Sequence, residues 1–272
     1  MVQGGTSVAT SDDGVIARRT RHASWSLVRD GVTVATAAAV CRPDRRWFVS
    51  VDAWRTEDTE PLVHAMIADL GHDLYTRIEG TDAESLELWS RFGFLPERRE
   101  VELVFSPDPT RTGLVDITMP AGLTLMSAAE ADQAELRRLD DRLRSDVPGT
   151  DGWVNDPSEF QDVTFDDAHF DPSTYLVAVD AEHRRFAGLV RIWTGRNHAR
   201  LGLIGVVPAY RRRGLARALL AHALHPVHER GITVVTAEAD ETNRACLDLL
   251  TGLGSVQTGT AAVLKRSAMP SF

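Results

Sequence analysis

Apolar positions in the second half of the chain recur with two periods, one typical of strands and one typical of helices. Six segments show the alternating or continuous apolar pattern of strands: 123–126, 174–180, 185–193, 199–207, 232–239 and 259–264. Three segments show the amphipathic period of helices: 130–144, a run that starts at about Leu215, and 243–253. This order predicts an α/β domain in which helices flank one sheet.

The first half shows the same alternation in a shorter form. An Asp30-Gly31 pair between two strand-like runs predicts a β-hairpin over 24–36. The following segments read as a strand, a helix, a strand and a helix: 45–54, 60–70, 73–78 and 82–94. The half is too short for a full first strand and the helices that would follow it.

The end of the first half recurs in the second half at residue level. A shift of 161 residues carries Asp82 onto Asn243 and the helix-closing Gly93 onto Gly254. The same shift carries one helix face onto another: Ser85, Leu88, Trp89 and Phe92 onto Cys246, Leu249, Leu250 and Leu253. A shift of 156 residues aligns 51–55 with 207–211. Two blocks in the same order indicate an internal duplication.

A polar, proline-containing stretch, 106–113, lies between the two copies. Such stretches are typical of linkers. We therefore predict two domains, residues 1–112 and residues 113–272.

Composition narrows the functional classes. Of the 272 residues, 43% are hydrophobic and 25% are charged, as in folded globular proteins. The net charge of −9 argues against a nucleic-acid binder, which needs a basic surface. Two cysteines, Cys41 and Cys246, have no zinc spacing and fit a reducing compartment. Since there is no signal-peptide pattern and no apolar run of membrane length, we expect a cytoplasmic monomer or homodimer without a membrane partner.

The stretch "VVPAYRRRGLARALL" (206–220) combines three arginines with a glycine and the start of a helix. The first N–H groups of a helix lack intrahelical partners and favour anions, phosphates in particular. Gly214 stands where a turn must lack a side chain for a phosphate to approach. Ala216 lets the first helical turn pack near the ligand. We predict a phosphate site formed by backbone N–H groups from about Arg212 to Arg217, with the arginine side chains in a secondary role.

This stretch resembles motif A of the GNAT superfamily of acyl-CoA-dependent N-acetyltransferases, whose signature is Gln/Arg-x-x-Gly-x-Gly/Ala. Arg211, Gly214 and Ala216 match it, and Asn243 with Gly254 matches a later family feature. The resemblance covers about residues 120–265 and, more weakly, the first half. It implies a tandem GNAT fold with a mixed, mostly antiparallel sheet flanked by helices in each domain. It also implies that acetyl-CoA is the acyl donor.

In this family, the fourth and fifth strands of the sheet splay apart to admit the pantetheine arm of the donor. The resemblance implies that backbone groups of Gly205, Val206 and Val207 bond to that arm. The full set of donor-binding residues that we expect is Gly205, Val206, Val207, Arg211, Arg212, Arg213, Gly214, Leu215, Ala216, Arg217 and Asn243.

The first half lacks the glycine that the phosphate site needs. Under the 156-residue shift, Asp58, Glu57 and Glu60 stand in the places of Gly214, Arg213 and Ala216. An acidic turn repels a pyrophosphate and blocks its approach. We therefore predict that the first half is a degenerate GNAT repeat that binds no CoA.

The catalytic residues are harder to assign. The family's frequent base, a glutamate on the fourth strand, has no counterpart in 199–207, and its tyrosine proton donor is replaced by Leu250. Glu238 is the remaining candidate for the base. Central strands of α/β sheets are usually apolar on both faces, so a carboxylate there suggests a function. The plainer alternative is a carboxylate paired with an arginine. We assign Asp240 to a turn or helix cap, and His198 to an exposed loop.

A long acidic loop, 146–172, lies where GNAT folds close over the acceptor. It carries eight carboxylates and no lysine or arginine, which favours a cationic amine as acceptor. An ordinary solvated surface loop is the alternative. Asp151, Tyr175 and Trp193 are candidate substrate contacts; for the two aromatic residues, core packing is the alternative.

A metal site is not expected. His222, His225 and His228 have helical spacing, but Pro226 is expected to disturb that helix, and no further ligand completes a set.

The function predicted from the sequence is N-acetyl transfer from acetyl-CoA to the amine of a small, positively charged metabolite. The first alternative is a non-catalytic acyl-CoA sensor that lost the base and the proton donor. A second alternative is acetylation of a protein N-terminus, for which the acidic loop would be an obstacle.

Overall fold

The structure, a computed structural model, describes residues 15–18, 22–42, 44–80, 82–149, 154, 156–165 and 170–268. The chain forms two compact units. The N-terminal unit contains the described residues up to Arg99 and from Ala261 onward, and the C-terminal unit contains residues 100–260.

The N-terminal unit is built on a sheet in the order β1-β2-β3-β4-β5-β12. Its strands are β1 (Val15–Arg18), β2 (His22–Arg29), β3 (Val32–Cys41), β4 (Trp47–Ala53), β5 (Leu74–Glu79) and the second part of β12 (Val256–Arg266). Its helices are α1 (Thr59–Leu70) and α2 (Ala83–Arg91). Neighbouring strands are antiparallel except β4 and β5, which are parallel.

The C-terminal unit repeats this plan with the order β6-β11-β10-β9-β8-β7. Its strands are the second part of β6 (Leu95–Phe105), β7 (Leu123–Ser127), β8 (Tyr175–Asp180), β9 (Arg185–Thr194), β10 (Ala199–Val206) and β11 (Val235–Asp240). Its helices are α3 (Pro109–Thr112), α4 (Gln133–Ser145), α5 (Phe160–Thr164), α6 (Leu215–Glu229) and α7 (Arg244–Thr251). Among the strand pairs that the described residues of this unit form, β10 and β11 are parallel and the others are antiparallel. The predicted fold class, a mixed and mostly antiparallel sheet with helices, is confirmed.

Most predicted elements are present, with a few exceptions. The predicted hairpin turns at Asp30 and Gly31, whose φ values of 51° and 74° fit a primed turn. The sequence did not predict β1, β6, α3 or α5. The expected break at Pro226 was wrong, because α6 continues past it to Glu229. No helix among the described residues is long and apolar enough to cross a membrane.

The last strand of each copy lies in the other unit. β6 follows α2 in the chain, yet its residues from Glu100 to Phe105 pair with β11. β12 follows α7, yet its residues from Ala261 to Arg266 pair with β5. Residues 100–105 thus belong to the C-terminal unit, whereas the sequence prediction divided the chain after residue 112 and treated 106–113, which includes α3, as a linker. Strand partners are set by long-range pairing, which local composition does not encode.

The duplication is visible in the backbone geometry of α2 and α7. Asp82 caps α2 by accepting the N–H of Ser85, and Asn243 caps α7 by accepting the N–H of Cys246. Gly93 and Gly254 end these helices with φ values of 81° and 75°. The same 161-residue shift therefore relates the start and the end of both helices, as the sequence predicted.

Helices cover both faces of the sheet in the C-terminal unit. One cluster of buried side chains joins α6 and α7 to the sheet and includes Val190 and Ile192 of β9. A second cluster joins α4 and α5 to the opposite face and includes Leu189. Alternation along β9 sends its odd and even positions to different faces. The face under α4, which we call the acceptor face, carries Arg191 and Trp193.

Candidate active site

β10 and β11 separate partway along their length. They pair only at Ala199–Val235, Arg200–Thr236 and Leu201–Ala237, although β10 continues to Val206 and β11 to Asp240. A bulge at Gly202 interrupts the pairing of β10 with β9 at the same level. The result is a gap beside the second half of β10, which we call the donor slot. The splay that the family resemblance implied is therefore present.

The bulge decides which peptide groups of β10 face the donor slot. The N–H of Val207, the residue after β10, donates to the carbonyl of Ala187 in β9 at 2.8 Å. Since directions alternate along a strand, Gly205 also faces β9, and the peptide groups of Ile204 and Val206 face the donor slot. Of the three predicted backbone contacts, only Val206 is directed into the slot. The sequence did not predict Ile204, because the bulge determines which peptide groups of β10 face the slot and a bulge is not evident from the sequence.

Gly205 has a packing role instead. A Cβ at this position would lie 2.9 Å from Cδ1 of Leu143, so the glycine allows the last turn of α4 to lie directly on β10. Leu143 is 3% exposed and belongs to the cluster on the acceptor face. This contact anchors α4 next to the donor slot.

A turn with two left-handed residues joins β10 to α6. Arg212 has a φ of 63° and Gly214 a φ of 83°, and a Cβ on Gly214 would meet nothing within 4 Å. The first intrahelical bond of α6 is donated by Ala218 to the carbonyl of Gly214. The N–H groups of Leu215, Ala216 and Arg217 precede that bond and form the positive end of the helix. Open space in front of a glycine and a helix start fits a phosphate group.

Most arginine side chains in this turn bind protein groups. Arg211 donates from Nε to the carbonyl of Val206 at 2.8 Å and from Nη2 to Asp146 at 2.9 Å. Arg217 donates to the carbonyls of Gly113 and Gly252 and thereby ties α6 to the ends of α3 and α7. The guanidinium of Arg213 lies over the Tyr210 ring. These three side chains are engaged with protein groups in this structure, and a phosphate site formed mainly by the backbone stays a prediction. Arg212 is exposed.

Asn243 is half-buried at the start of α7. Its side-chain oxygen accepts the N–H of Cys246 at 3.2 Å, so the amide nitrogen is the atom that could contact a ligand. The capping role explains an asparagine here without any ligand.

Glu238 is paired with an arginine, as the plainer interpretation predicted. Its Oε2 lies 2.8 Å from Nη2 of Arg200, and the two side chains are 36% and 45% exposed. Asp240 accepts the backbone N–H of Thr242 at 2.8 Å, which confirms its assignment to a turn. His198 is exposed in the turn between β9 and β10, as expected.

The acceptor face carries further carboxylates that the sequence did not reveal. Glu102 of β6 stands directly opposite Glu238, and Glu100 stands opposite Asp240. A Cβ on Gly259 would lie 2.6 Å from Oε2 of Glu102, so that glycine makes room for the carboxylate. Directly opposed carboxylates repel each other and are unfavourable in a purely structural sheet. They were missed because β6 was not predicted and its place beside β11 is not a local property.

The two aromatic candidates differ in exposure. Trp193 is half-buried and lies over Gly202, where a Cβ would be 2.3 Å from its ring. The guanidinium carbons of Arg191 and Arg200 lie 4.8 and 5.1 Å from the centre of this ring. Tyr175 is 1% exposed, so it is a core residue. Burial raises the pKa of the Tyr175 hydroxyl far above its usual range.

The acidic loop is partly neutralised by arginines from other segments. Asp146 pairs with Arg211, and Asp171 pairs with Arg230. The short helix α5 lies within the loop, and the carbonyl of Thr164 at its end accepts a bond from the buried Arg191 at 3.1 Å. These two arginines therefore offset part of the loop's negative charge. The predicted substrate contact Asp151 lies outside the described residues.

The corresponding region of the N-terminal unit has different chemistry. Asp58 precedes α1 with a right-handed φ of −81°, is 2% exposed and pairs with Arg29 at 2.6 Å. β4 and β5 also separate after two pairs, but there the hydroxyl of Thr76 donates to the carbonyl of Val49 across the gap. That this unit binds no CoA stays a prediction.

Among the described residues, no group of three or more His, Cys, Asp or Glu could hold a metal ion. His222, His225 and His228 are exposed on α6, and His225 lies 3.3 Å from Glu229.

Comparisons with known proteins agree with this geometry. Residues 136–254 match the model of the family described as "Acetyltransferase (GNAT) family". The mycothiol acetyltransferase of Clavibacter sepedonicus is 34% identical over 188 residues, which make up 66% of this chain and 59% of that protein. The mycothiol acetyltransferase of Clavibacter michiganensis subsp. michiganensis is 31% identical over 193 residues, or 69% of this chain and 60% of that protein. This chain thus covers less than two thirds of the length of these relatives.

Two solved structures share the fold over most of the chain. A tandem GNAT protein from the clavulanic acid biosynthesis pathway superposes with a TM-score of 0.69 and 15% identity, covering 92% of this chain and 84% of that one. A GCN5-related N-acetyltransferase from Sphaerobacter thermophilus superposes with a TM-score of 0.63 and 17% identity, covering 92% and 82%. At these identities the likeness establishes the fold alone.

Proposed function

We propose that this chain, which belongs to the GNAT superfamily, is an N-acetyltransferase that moves an acetyl group from acetyl-CoA to a primary amine of a small cationic metabolite. The observation that carries the proposal is the donor slot, which leads along β10 to the open turn at Gly214. The reaction is assigned to the C-terminal unit.

The donor would be held mainly by backbone groups. Peptide groups of Ile204 and Val206 would pair with the amides of the pantetheine arm in the manner of an added strand. The N–H groups of the first turn of α6 would bind the phosphates, with Gly214 allowing their approach. Acetyl-CoA would supply the acetyl group as a thioester.

The acceptor face would bind and deprotonate the amine. A protonated amine is attracted to the carboxylates of Glu238 and Glu102, which stand opposite each other. Glu238 would take the proton from the ammonium, directly or through water, so that the neutral amine attacks the thioester carbonyl. The C–N bond forms and the C–S bond breaks. CoA leaves as a thiolate, because Leu250 replaces the family's tyrosine donor, and the thiolate then takes up the second proton that the nitrogen loses.

The second candidate function is an acyl-CoA sensor without catalysis. Two features favour it. Glu238, the candidate base, is paired with Arg200, and Leu250 stands where the family has its tyrosine proton donor. Both functions need the donor slot, so donor binding does not separate them. Turnover with a panel of amines does.

The first experiment is calorimetric titration of acetyl-CoA into the full chain. We expect one site per chain, lost in Gly214→Asp, which places a side chain and a negative charge in the open turn. Gly231→Asp is the matched control, because Gly231 follows the other end of α6 with a φ of 74° and equally open surroundings. Loss of binding in both variants, or two sites per chain, would contradict the proposal.

The second experiment measures CoA release with diamines, amino sugars, amino acids and N-terminal peptides. Turnover of a small cationic amine supports the transferase. Binding without turnover of any amine supports the sensor, and turnover of peptides alone supports protein acetylation.

A further inference from the structure

Two contacts fix the end of α4 to the residues that border the donor slot. Leu143, in the last turn of α4, lies over Gly205, whose missing side chain leaves room for it. Asp146, the residue that ends α4, bonds to Arg211 at 2.9 Å. The acidic loop therefore starts at a point that is held against the donor strand.

The side chain of Arg211 contacts both sides of this junction. Its Nε donates to the carbonyl of Val206, and its Nη2 donates to the carboxylate of Asp146. The peptide groups of Val206 face the donor slot. One planar guanidinium thus joins the edge of the slot to the first carboxylate of the acidic loop, a double contact that the single ammonium of a lysine does not reproduce.

Asp146 depends on this partner more than an ordinary surface carboxylate does. It stands at the C-terminal end of α4, where the helix dipole is negative and disfavours a further negative charge. The guanidinium offsets that repulsion. When the pair is lost, the last turn of α4 and the start of the acidic loop lose a stabilising contact.

Arg211 also lies only three residues before Gly214, where the donor's phosphates are proposed to bind. Phosphate groups form strong, charge-assisted hydrogen bonds with guanidinium groups. A bound phosphate and Asp146 would therefore compete for the same side chain.

We infer that Arg211 is a positioning residue that couples the two substrates, because a phosphate of the bound donor draws its guanidinium from Asp146 and releases the start of the acidic loop for the acceptor. The inference rests on the proposed function, since it needs a phosphate-bearing donor at Gly214. Linkage makes the coupling reciprocal, so a change at Asp146 alters the affinity for the donor.

The test is a double-mutant cycle on the dissociation constant of acetyl-CoA, measured by calorimetry without any acceptor. Asp146→Asn removes the competitor and is expected to tighten binding roughly two- to fivefold, the range of an exposed ion pair. In the Arg211→Gln background the same change is expected to have no effect. Arg211→Lys keeps the charge but not the double contact, and is also expected to abolish the coupling.

Asp141→Asn is the matched control, because Asp141 lies on α4 and pairs with Arg137 at 3.0 Å. It removes the same charge from the same helix without a contact to Arg211, and should leave donor affinity unchanged. Hydrogen exchange gives a second measurement: acetyl-CoA should speed amide exchange over 146–149 in the wild type and not in Arg211→Gln.

Equal effects of Asp146→Asn in both Arg211 backgrounds, or an equal effect of Asp141→Asn, would overturn the inference while leaving the proposed function intact. So would exchange over 146–149 that is unchanged or slower with acetyl-CoA. A wild-type chain that does not bind acetyl-CoA would overturn the proposed function and the inference together.

Discussion

Glu102 of β6 stands directly opposite Glu238 of β11 on the acceptor face, although the two lie in different copies of the internal repeat. The pairing exists because β6 leaves its own copy to complete the sheet of the C-terminal unit. Two opposed carboxylates reduce the stability of a strand pair unless a partner or a ligand compensates. Arg200 pairs with Glu238, and the proposed cationic acceptor would add a further positive charge beside the two carboxylates.

Replacing Glu238 tests its role as the base. We expect Glu238→Gln to reduce kcat/KM for the best amine by about 10²- to 10⁴-fold, the usual contribution of a positioned base. The affinity for acetyl-CoA should stay unchanged, because the donor slot uses backbone groups of β10. Steady-state kinetics and calorimetry give the two quantities. A variant with full activity would remove Glu238 from the mechanism.

Glu102→Gln separates amine binding from proton transfer. This residue faces Glu238 but is given no proton in the proposed reaction, so the variant should raise KM for the amine and leave kcat nearly unchanged. Initial rates over a range of amine concentrations distinguish the two effects. A loss confined to kcat would assign the proton to Glu102 instead.

Gly205→Ala tests the docking of α4 on β10. The added Cβ would lie 2.9 Å from Cδ1 and 3.1 Å from Cβ of Leu143, so we expect a loss of about 1–3 kcal/mol in the free energy of unfolding. Urea denaturation measures it. In a Leu143→Ala background, Gly205→Ala should lower the free energy of unfolding much less, because the shorter side chain leaves room for the added methyl group. Equal costs of Gly205→Ala in both backgrounds would argue against this contact.

Cys246 should resist alkylation. Burial raises the pKa of its thiol to about 11, so little reactive thiolate is present at pH 8. Mass spectrometry after timed treatment with iodoacetamide should show modification of Cys246 that is roughly a hundredfold slower than that of a small-molecule thiol. Labelling at the rate of a free thiol would show that α7 opens readily.

Asp180 should contribute to stability down to strongly acidic pH. The backbone N–H of His183 and the hydroxyl of Tyr210 donate to this carboxylate and lower its pKa to about 2. Since the folded pKa lies below the unfolded value of about 4, the contribution is complete above pH 4 and is lost as the pH falls toward 2. The melting temperature, measured between pH 5 and pH 2, should therefore fall more steeply with decreasing pH for the wild type than for Asp180→Asn. Parallel curves would contradict this.

Short-range physical rules made much of the chain predictable. The periods of apolar residues fixed most strands and helices, and the turn chemistry of Asp30-Gly31 fixed the first hairpin. Gly214 could be placed in a turn before a helix, where the structure gives it a left-handed φ of 83°, and its role in phosphate binding stays a prediction. The caps at Asp82 and Asn243 could be aligned because helix starts follow local rules. All of these depend on residues within about one helical turn of each other.

Only the tertiary structure decided the features that depend on distant partners. The exchange of β6 and β12, and with it the meeting of Glu102 and Glu238, follows from which strand edges pair. The bulge at Gly202 decides that Ile204 and Val206, rather than Gly205 and Val207, face the donor slot. The link from Val206 through Arg211 to Asp146 joins segments that are far apart in the chain. Such contacts arise from the packing of whole elements, because a register or a side-chain partner is selected by the free energy of the complete sheet and not by its local sequence.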